Sequence, residues 1–433
     1  MKQHRYILII SLVILAFPLF QGLTHLIKEK SLKGYYTKPE PVHFSIADWF
    51  SGAYQSKAEK YVNDEFGFRS FFVRLNNQVQ YSLFNRINAQ GVVIGKENYL
   101  YESLYIDTYF GLDYIGKEKI TKKVASMRFI QDKLDSMHKG FFVVIAAGKG
   151  YYYPEYFPDS YSKQAKGPTN YDGYLSELPK QGVRFIDYND YFIKNRDKTE
   201  YMLYPKYGIH WSTYGECLVI DSLRKYIEKE RKIDMPNFYW NTVKTNSPQK
   251  DDYDIGDALN LMSKLKGPQM GYPDLGTEDA KGKTKPSILV VSDSFFWGLI
   301  NLGFFNAFSE SHFWYYNEEI VPENAAKSHT DALNLKEEIE KHDIVVLMCT
   351  PSNLKKIGWG FIERTEDMFK GVVKYDAAFM KSIDTLKGKI RTDNAWMKEI
   401  HRKAKEKNVS VDSMITLDAC WMVEQQYKKK REE

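Results

Sequence analysis

The stretch "SILVVSDSFFWG", residues 287–298, decides the fold because it joins an apolar strand directly to a helix. Its first half has the length and composition of a strand buried on both faces, and its second half is helical. Ser294 lies at the turn between them, where a hydroxyl is exposed at the carboxyl edge of a sheet and helix N–H groups face a developing oxyanion. Ser294 is therefore a candidate nucleophile. Asp293 and Ser294 are also favoured helix N-caps, and in that interpretation they only start the helix.

Four more short apolar runs predict strands of the same sheet. Helical segments separate them, including residues 117–139 and about 212–230. This alternation is typical of a three-layer α/β/α domain with a mainly parallel sheet, which binds ligands at the carboxyl ends of its strands. The four runs are residues 141–147, 182–188, 312–317 and 343–349.

The remainder of the chain divides around this α/β domain. Residues 29–95 predict a Pro- and Gly-punctuated linker followed by a leading helical segment, and residues 96–370 predict the α/β domain itself. Within that domain, the turn-rich residues 232–286 predict a long excursion over one edge of the sheet. Residues 371–433 predict a tail of C-terminal helices.

The N-terminus, residues 1–28, predicts a membrane anchor. Lys2 and Arg5 precede the apolar residues 6–27, which reach the length of a spanning helix of roughly 20 residues. A cleaved signal peptide is the alternative, but no small-x-small cleavage pattern follows the apolar run. Positive charge before the helix keeps that end in the cytoplasm. The expected location is therefore the cytoplasmic membrane, with one span, the lipid bilayer as a partner, and the main domain in the periplasm or outside the cell.

Composition argues against several classes of function. The formal net charge of +5 is diffuse, and no basic stripe is interleaved with aromatic residues, so no nucleic-acid partner is expected. Cys217, Cys349 and Cys420 are an odd number and widely spaced, which disfavours a disulfide framework and a zinc site. Metal-ligand spacing and a Gly-rich phosphate loop are also absent from the sequence, so neither a metal nor a cofactor is expected.

The stretch "KYGIHWSTYG", residues 206–215, supplies a second candidate. His210 lies at a predicted loop–helix junction of the same α/β layer, where it could act as the base for a serine nucleophile. Such a base normally has an acid that orients its imidazole, but Gly208 stands two residues upstream.

These blocks resemble a known family. "SDSF" resembles the GDS block of SGNH hydrolases, and "GIHW" resembles their DxxH/DxHW block. His210 precedes Ser294, a circularly permuted motif order similar to that of alginate O-acetylation proteins of the AlgJ/AlgX and DHHW-like type. Four further stretches agree, and the resemblance covers roughly residues 60–360: "FGFRSFFVRLNN", "GKENYLYE", "VVIAAGKGYYYPEYFP" and "DIGDALNLM".

The resemblance implies an SGNH-like O-acetyltransferase that moves acetyl groups to hydroxyls of an extracytoplasmic polysaccharide through an acyl-serine. Ser294 matches the nucleophile and His210 the general base, and Asp293 matches an aspartate with a structural role. The implied partners are the polysaccharide and a membrane-embedded acyltransferase that exports acetyl groups. The N-terminal anchor makes the chain more similar to the AlgJ-like branch.

Three positions depart from the family pattern. Gly208 replaces the acid of the triad, and Ser292 replaces the glycine of the GDS block. Asn353 stands where relatives usually carry a charged residue, although an asparagine there could still donate to an oxyanion.

The missing acid leaves three interpretations open. In the first, another acid approaches His210 in space. The expected acids are Asp187 and Asp257, and Asp254 lies in the same excursion as Asp257. Alternatively, a backbone carbonyl orients a Ser–His dyad. In the third interpretation activity is reduced or absent, and the domain is a non-catalytic scaffold of a polysaccharide assembly complex. An acetylesterase, in which water takes the acyl group, is the alternative among enzymes.

Two residues are candidates for substrate binding. Lys149 follows a strand at the same sheet edge, where it would steer an anionic polysaccharide or contact an acyl donor, unless it is simply a solvated loop lysine. Trp211 lies beside His210 and packs its loop.

Overall fold

The computed structural model describes residues 2–34, 40–324, 327–330, 333–371, 377–407 and 409–432. The strands are β1 (Val92–Ile94), β2 (Leu100–Glu102), β3 (Gly140–Ile145), β4 (Phe185–Asp187), β5 (Phe238–Tyr239), β6 (Val243–Asn246), β7 (Met270–Pro273), β8 (Gly276–Thr277), β9 (Ile288–Ser292), β10 (Ser311–Tyr315), β11 (Glu319–Asn324), β12 (Lys327–His329) and β13 (Ile344–Cys349).

The helices are α1 (Lys2–Thr24), α2 (Ile46–Ser51), α3 (Ala53–Glu65), α4 (Arg69–Phe84), α5 (Ser103–Phe110), α6 (Lys117–Ser136), α7 (Lys149–Tyr152), α8 (Asn170–Lys180), α9 (Tyr188–Asn195), α10 (Thr213–Arg231), α11 (Asp254–Ala258), α12 (Phe295–Asn301), α13 (Leu335–Lys341), α14 (Phe361–Lys370), α15 (Ala377–Thr392), α16 (Asn394–Lys407) and α17 (Val411–Glu432).

A seven-stranded sheet forms the centre of the molecule, in the order β12-β11-β10-β9-β13-β3-β4. The five strands from β10 to β4 are parallel, and they are the five strands predicted from apolar runs. β11 and β12 add an antiparallel edge that the sequence pattern did not predict. The predicted α/β class with a mainly parallel sheet is therefore confirmed.

Each central strand is buried on both faces because its side chains alternate between two apolar cores. Phe142 and Val144 of β3 belong to the core beneath α10 and α12. Phe141 and Val143 belong to the opposite core, beneath α6, α8 and α14. This alternation follows from the period of two along a strand, and it gives the three layers.

The N-terminal helix α1 is the one described helix that is long and apolar enough to cross a membrane, with a mean hydropathy of 2.3 over His4–Thr24. A signal sequence has the same properties. α3 and α4 meet where Gly67 interrupts the helical pattern, and a Cβ on Gly67 would lie 2.6 Å from the backbone nitrogen of Gly22. Residues 35–39 of the predicted linker lie outside the described residues.

The turn-rich excursion forms two small antiparallel pairs, β5 with β8 and β6 with β7. Strand β7 packs against α10. The short helix α11 lies between β6 and β7 in the chain and begins at Asp254.

The C-terminal tail has three helices, α15 to α17, which share an apolar core of their own. The pattern predicted α16 and α17 but not α15, whose start adjoins residues 372–376, which lie outside the described residues. Phe379 and Ile383 of α15 are fully or almost fully buried against the other two helices.

Candidate active site

Ser294 lies between β9 and α12, at the carboxyl edge of the sheet. Its Oγ is 2.9 Å from Nε2 of His210, although the two residues are 84 positions apart in the chain. The Ser294 side chain makes no capping hydrogen bond to α12. Instead, the backbone N–H of Phe295 donates to Oδ1 of Asp293 at 3.2 Å. Asp293 therefore satisfies the start of the helix and leaves the serine hydroxyl to the histidine.

Asp254 holds the other side of the imidazole. Nδ1 of His210 lies 2.5 Å from Oδ2 of Asp254. The second oxygen, Oδ1, accepts from the backbone N–H groups of Ile209 and Ile255 at 2.8 and 2.6 Å. These bonds fix the carboxylate, so the ring proton sits on Nδ1 and Nε2 is left to accept from the serine.

The two acids expected at this position are elsewhere. Asp187 caps the start of α9, where its Oδ1 accepts from the backbone of Asn189, and its Oδ2 accepts from the hydroxyl of Tyr171 at 2.7 Å. Asp257 faces Lys264 at 3.9 Å. The expectation that Asp187 or Asp257 orients His210 is therefore wrong. Both are committed to local partners, and Asp254 contacts the ring.

Gly208 is the reason Asp254 can reach the site. A Cβ at position 208 would collide with the backbone oxygen of Asp251 and would lie 2.7 Å from Cγ of Pro205. The loop around His210 thus packs directly on the backbone that leads into α11. Gly208 carries no acid itself, but its small size leaves room for the segment that places Asp254 beside His210.

The charges around His210 favour protonation of its imidazole. Burial lowers the pKa of the ring, but the hydrogen bond and the charge of Asp254, together with the charges of Asp251 and Asp293, outweigh that effect and raise the pKa above its usual value. About one fifth of the His210 side chain is exposed. A substrate can therefore reach the ring from solvent.

Lys149 lies beneath the His210 loop, with no exposed surface. Its ammonium donates to the backbone oxygens of Lys206 and Gly208 at 2.9 and 2.5 Å. Burial lowers the pKa of Lys149 to about 7, and the carboxylates of Asp254 and Glu102 oppose that shift in part. Lys149 is neither a substrate-steering group nor a solvated loop lysine, because it is enclosed and holds the loop from within.

Trp211 is also fully buried, against the prediction that it binds substrate. Its ring packs at an angle on Phe295 and Phe192, with centroids 5.4 and 5.9 Å apart. The tryptophan therefore joins the start of α10 to the start of α12. Its contribution is to hold His210 and Ser294 in register, as the packing interpretation predicted.

Asp293 and Asn353 form a buried support behind Ser294. Oδ2 of Asp293 accepts from the backbone N–H and hydroxyl of Thr350 and from Nδ2 of Asn353 at 2.8 Å. These bonds join the ends of β9 and β13. They also point the Asn353 amide at Asp293, so Asn353 supports the turn that carries Ser294. Oγ of Ser292 is buried and, within the described part of the chain, has no hydrogen-bond partner.

Tyr316 is a neighbour of Ser294 that the sequence interpretation missed. It follows β10, and its backbone N–H donates to the oxygen of Ser292 at 2.9 Å. Burial raises the pKa of its phenol, with the charge of Asp293 adding to the rise and hydrogen bonding to Ser294 opposing it. Its position was detectable in principle, because "HFWYYN" was predicted as a strand ending at the same edge.

Comparison with known families matches part of the chain. Residues 92–280 match the family model of the SGNH hydrolase-like domain of the acetyltransferase AlgX. These residues are therefore similar to the SGNH hydrolase-like domain of AlgX. The matched residues include His210 and Asp254, which contact one another, and end before Ser294. No curated protein matches the chain.

Solved structures similar to this chain include three bacterial proteins. The O-acetyltransferase domain of Pseudomonas putida AlgJ is 14% identical, with 64% of this chain and 99% of that chain covered and a TM-score of 0.44. Pseudomonas aeruginosa AlgX is 15% identical, with coverages of 64% and 71% and a TM-score of 0.42. Bacillus cereus PatB1 with a sulfonyl adduct is 12% identical, with coverages of 55% and 91% and a TM-score of 0.37.

Proposed function

We propose that this chain is an O-acetyltransferase that carries acetyl groups to hydroxyls of an extracytoplasmic polysaccharide through an acyl-Ser294 intermediate. The observation that supports it is the continuous hydrogen-bonded chain from Ser294 through His210 to Asp254. That chain has the order nucleophile, base and orienting acid of a serine triad. The description of the matched family as an acetyltransferase domain supports the acyl group.

In the first half-reaction, Nε2 of His210 takes the hydroxyl proton of Ser294 as Oγ attacks the carbonyl carbon of an acetyl ester. Asp254 stabilises the imidazolium that forms, since its carboxylate faces Nδ1. The tetrahedral intermediate then collapses, the bond to the leaving group breaks, and the leaving group takes the proton from His210. The products are acetyl-Ser294 and the free leaving group.

In the second half-reaction, a sugar hydroxyl gives its proton to Nε2 of His210 and attacks the acetyl carbon. The bond to Oγ breaks, and Ser294 regains its proton from His210. The partly exposed ring of His210 is accessible to a hydroxyl carried on a long polymer. Water would complete the same step in an esterase, so the acceptor distinguishes the two functions.

The apolar helix α1 supports the proposed location. As an uncleaved anchor, it would hold the SGNH domain at the outer side of the cytoplasmic membrane. An acetyl donor would then have to cross the bilayer, which is the task of a membrane-embedded acyltransferase acting as the partner of this chain.

The test is acetyl transfer by the purified full-length chain, supplied with an activated acetyl ester and exopolysaccharide oligosaccharides. We expect acetylated oligosaccharide by mass spectrometry, lost in Ser294→Ala and retained in Ser162→Ala, which alters an exposed serine. Release of acetate alone in the presence of acceptor would replace the transferase by an esterase. Equal transfer by wild type and Ser294→Ala would remove the proposal.

A further inference from the structure

A second cluster of chemically competent side chains lies at the opposite edge of the sheet from Ser294. Glu310 and His312 flank the start of β10, which pairs in parallel with the start of β9. His342 follows α13 and precedes β13. Because these are the amino ends of parallel strands, the cluster takes no part in the chemistry at Ser294.

Both histidines of this cluster have Nδ1 occupied by an acceptor. Nδ1 of His312 lies 3.0 Å from Oε2 of Glu338, and Nδ1 of His342 lies 2.6 Å from the backbone oxygen of Glu338. In its neutral form, each ring therefore carries its proton on Nδ1 and has Nε2 as its ligand atom. The single residue Glu338 fixes the tautomers of both rings.

Nε2 of His342 is the unexplained atom of the cluster. The residue has no exposed surface, and among the described residues this nitrogen has no hydrogen-bond partner. Leaving a buried polar atom unpaired is unfavourable. His342 lies in a cluster with two further ligand groups, and a bound cation would give this nitrogen a partner.

The third group is the carboxylate of Glu310. Its Oε1 is 3.7 Å from Nε2 of His312. Ligand atoms of all three residues lie within 4.8 Å of one another. Two imidazole nitrogens and one carboxylate oxygen are the donor set of many zinc sites, which a water molecule completes.

We propose that Glu310, His312 and His342 bind a divalent transition-metal ion, with Zn²⁺ as the best match. The contacts of Nδ1 with a carboxylate and with a backbone carbonyl are the outer contacts that metal-bound histidines make. Zinc ligands at about 2.0–2.1 Å place their donor atoms about 3.3 Å apart, so the cluster contracts on binding. Glu310, with 41% of its side chain exposed, is the ligand free to move.

Lys341 is the competitor for this site. Its ammonium contacts Oε1 of Glu310, and 45% of its side chain is exposed. Metal binding requires Lys341 to leave that oxygen for solvent. If the cluster is only an ion-paired network, Lys341 is its natural cation and no metal enters.

The experiment is calorimetric titration of the full-length chain, without a histidine tag, with Zn²⁺ alone. Co²⁺ titration followed by visible absorption reports the coordination geometry. We expect one site, with affinity reduced at least about 10-fold in Glu310→Gln and in His312→Gln. His401→Gln, which alters an exposed histidine on α16, is the matched control and should bind as wild type does. Lys341→Gln should bind more tightly.

Two outcomes would overturn the proposal. One is the absence of stoichiometric binding in wild type and in Lys341→Gln. The other is binding that Glu310→Gln and His312→Gln leave unchanged, since the metal would then lie elsewhere. Neither outcome depends on acetyl transfer, so the metal site and the proposed function are tested independently.

Discussion

At the residue scale, the main feature is that the proposed orienting acid comes from a different segment of the chain than the proposed base. Asp254 is 44 positions from His210, whereas the family pattern has the acid two residues upstream, where Gly208 stands. Residue types and motif order were enough to select His210 and Ser294. They were not enough to rank Asp254 above Asp187 and Asp257, because that choice depends on how the excursion packs on the loop.

Asp254→Asn tests the role of the orienting acid. Neutralising the corresponding acid lowers turnover about 10⁴-fold in a serine-protease triad, and we expect kcat/KM to fall by about 10³–10⁴-fold here. His210 acts as a base only when it is neutral, so activity should rise with pH through its raised pKa. Removing the Asp254 charge lowers that pKa and moves the acidic limb to lower pH.

The measurement is a pH–rate profile of acetyl-ester cleavage by wild type and variant. Asp257→Asn, which alters the next acid along α11, is the control and should retain the wild-type profile. An Asp254→Asn enzyme with wild-type rate and profile would contradict the assigned role.

Gly208→Asp restores the acid of the family pattern but should reduce activity. Its Cβ would collide with the backbone of Asp251 and displace the segment that carries Asp254. We expect a lower kcat/KM and a lower Tm, measured by ester cleavage and by thermal unfolding. A gain in activity at unchanged Tm would show that the loop accepts the carboxylate and that this account of Gly208 is wrong.

At the element scale, the His210 loop depends on the buried ammonium of Lys149. Because the folded pKa is about 7 and the unfolded pKa about 10.4, the unfolded chain binds more protons between these values. Stability contributed by this group therefore rises with pH across that window. Lys149→Met removes the titration, although it also removes two hydrogen bonds at every pH.

The prediction concerns the difference in free energy of unfolding between wild type and Lys149→Met. It should increase in favour of wild type by about 2 kcal/mol between about pH 7 and pH 9. Urea unfolding at both pH values measures it. A difference that is constant with pH would place the lysine outside the titration window.

The strands that the sequence predicted are those with a continuous run of apolar residues. Strands β3, β9 and β13 are buried on both faces, so their composition alone identified them. Strand β11 carries Glu319, Pro322 and Glu323, a pattern without a continuous apolar run. The sequence did not identify the proposed zinc ligands for a related reason, since His312 and His342 come from different elements and share no motif spacing.

At the scale of the whole molecule, the C-terminal helices form an apolar core separate from those of the sheet that carries Ser294. Their buried side chains form a cluster distinct from the two cores of the sheet. A chain ending at Gly371 should therefore keep its ester-cleavage kcat/KM and unfold cooperatively at a Tm near that of the full chain. Loss of cooperative unfolding after this truncation would show that the tail completes the main fold.

The central claim is that Ser294 carries the acetyl group. The most direct measurement is mass spectrometry of the peptide that contains Ser294, after brief reaction of the full-length chain with an activated acetyl ester. We predict one acetyl group on Ser294, none on that peptide in Ser294→Ala, and slower labelling in Asp254→Asn. Turnover of the ester without acetylation of Ser294, or equal turnover by Ser294→Ala, would contradict the account.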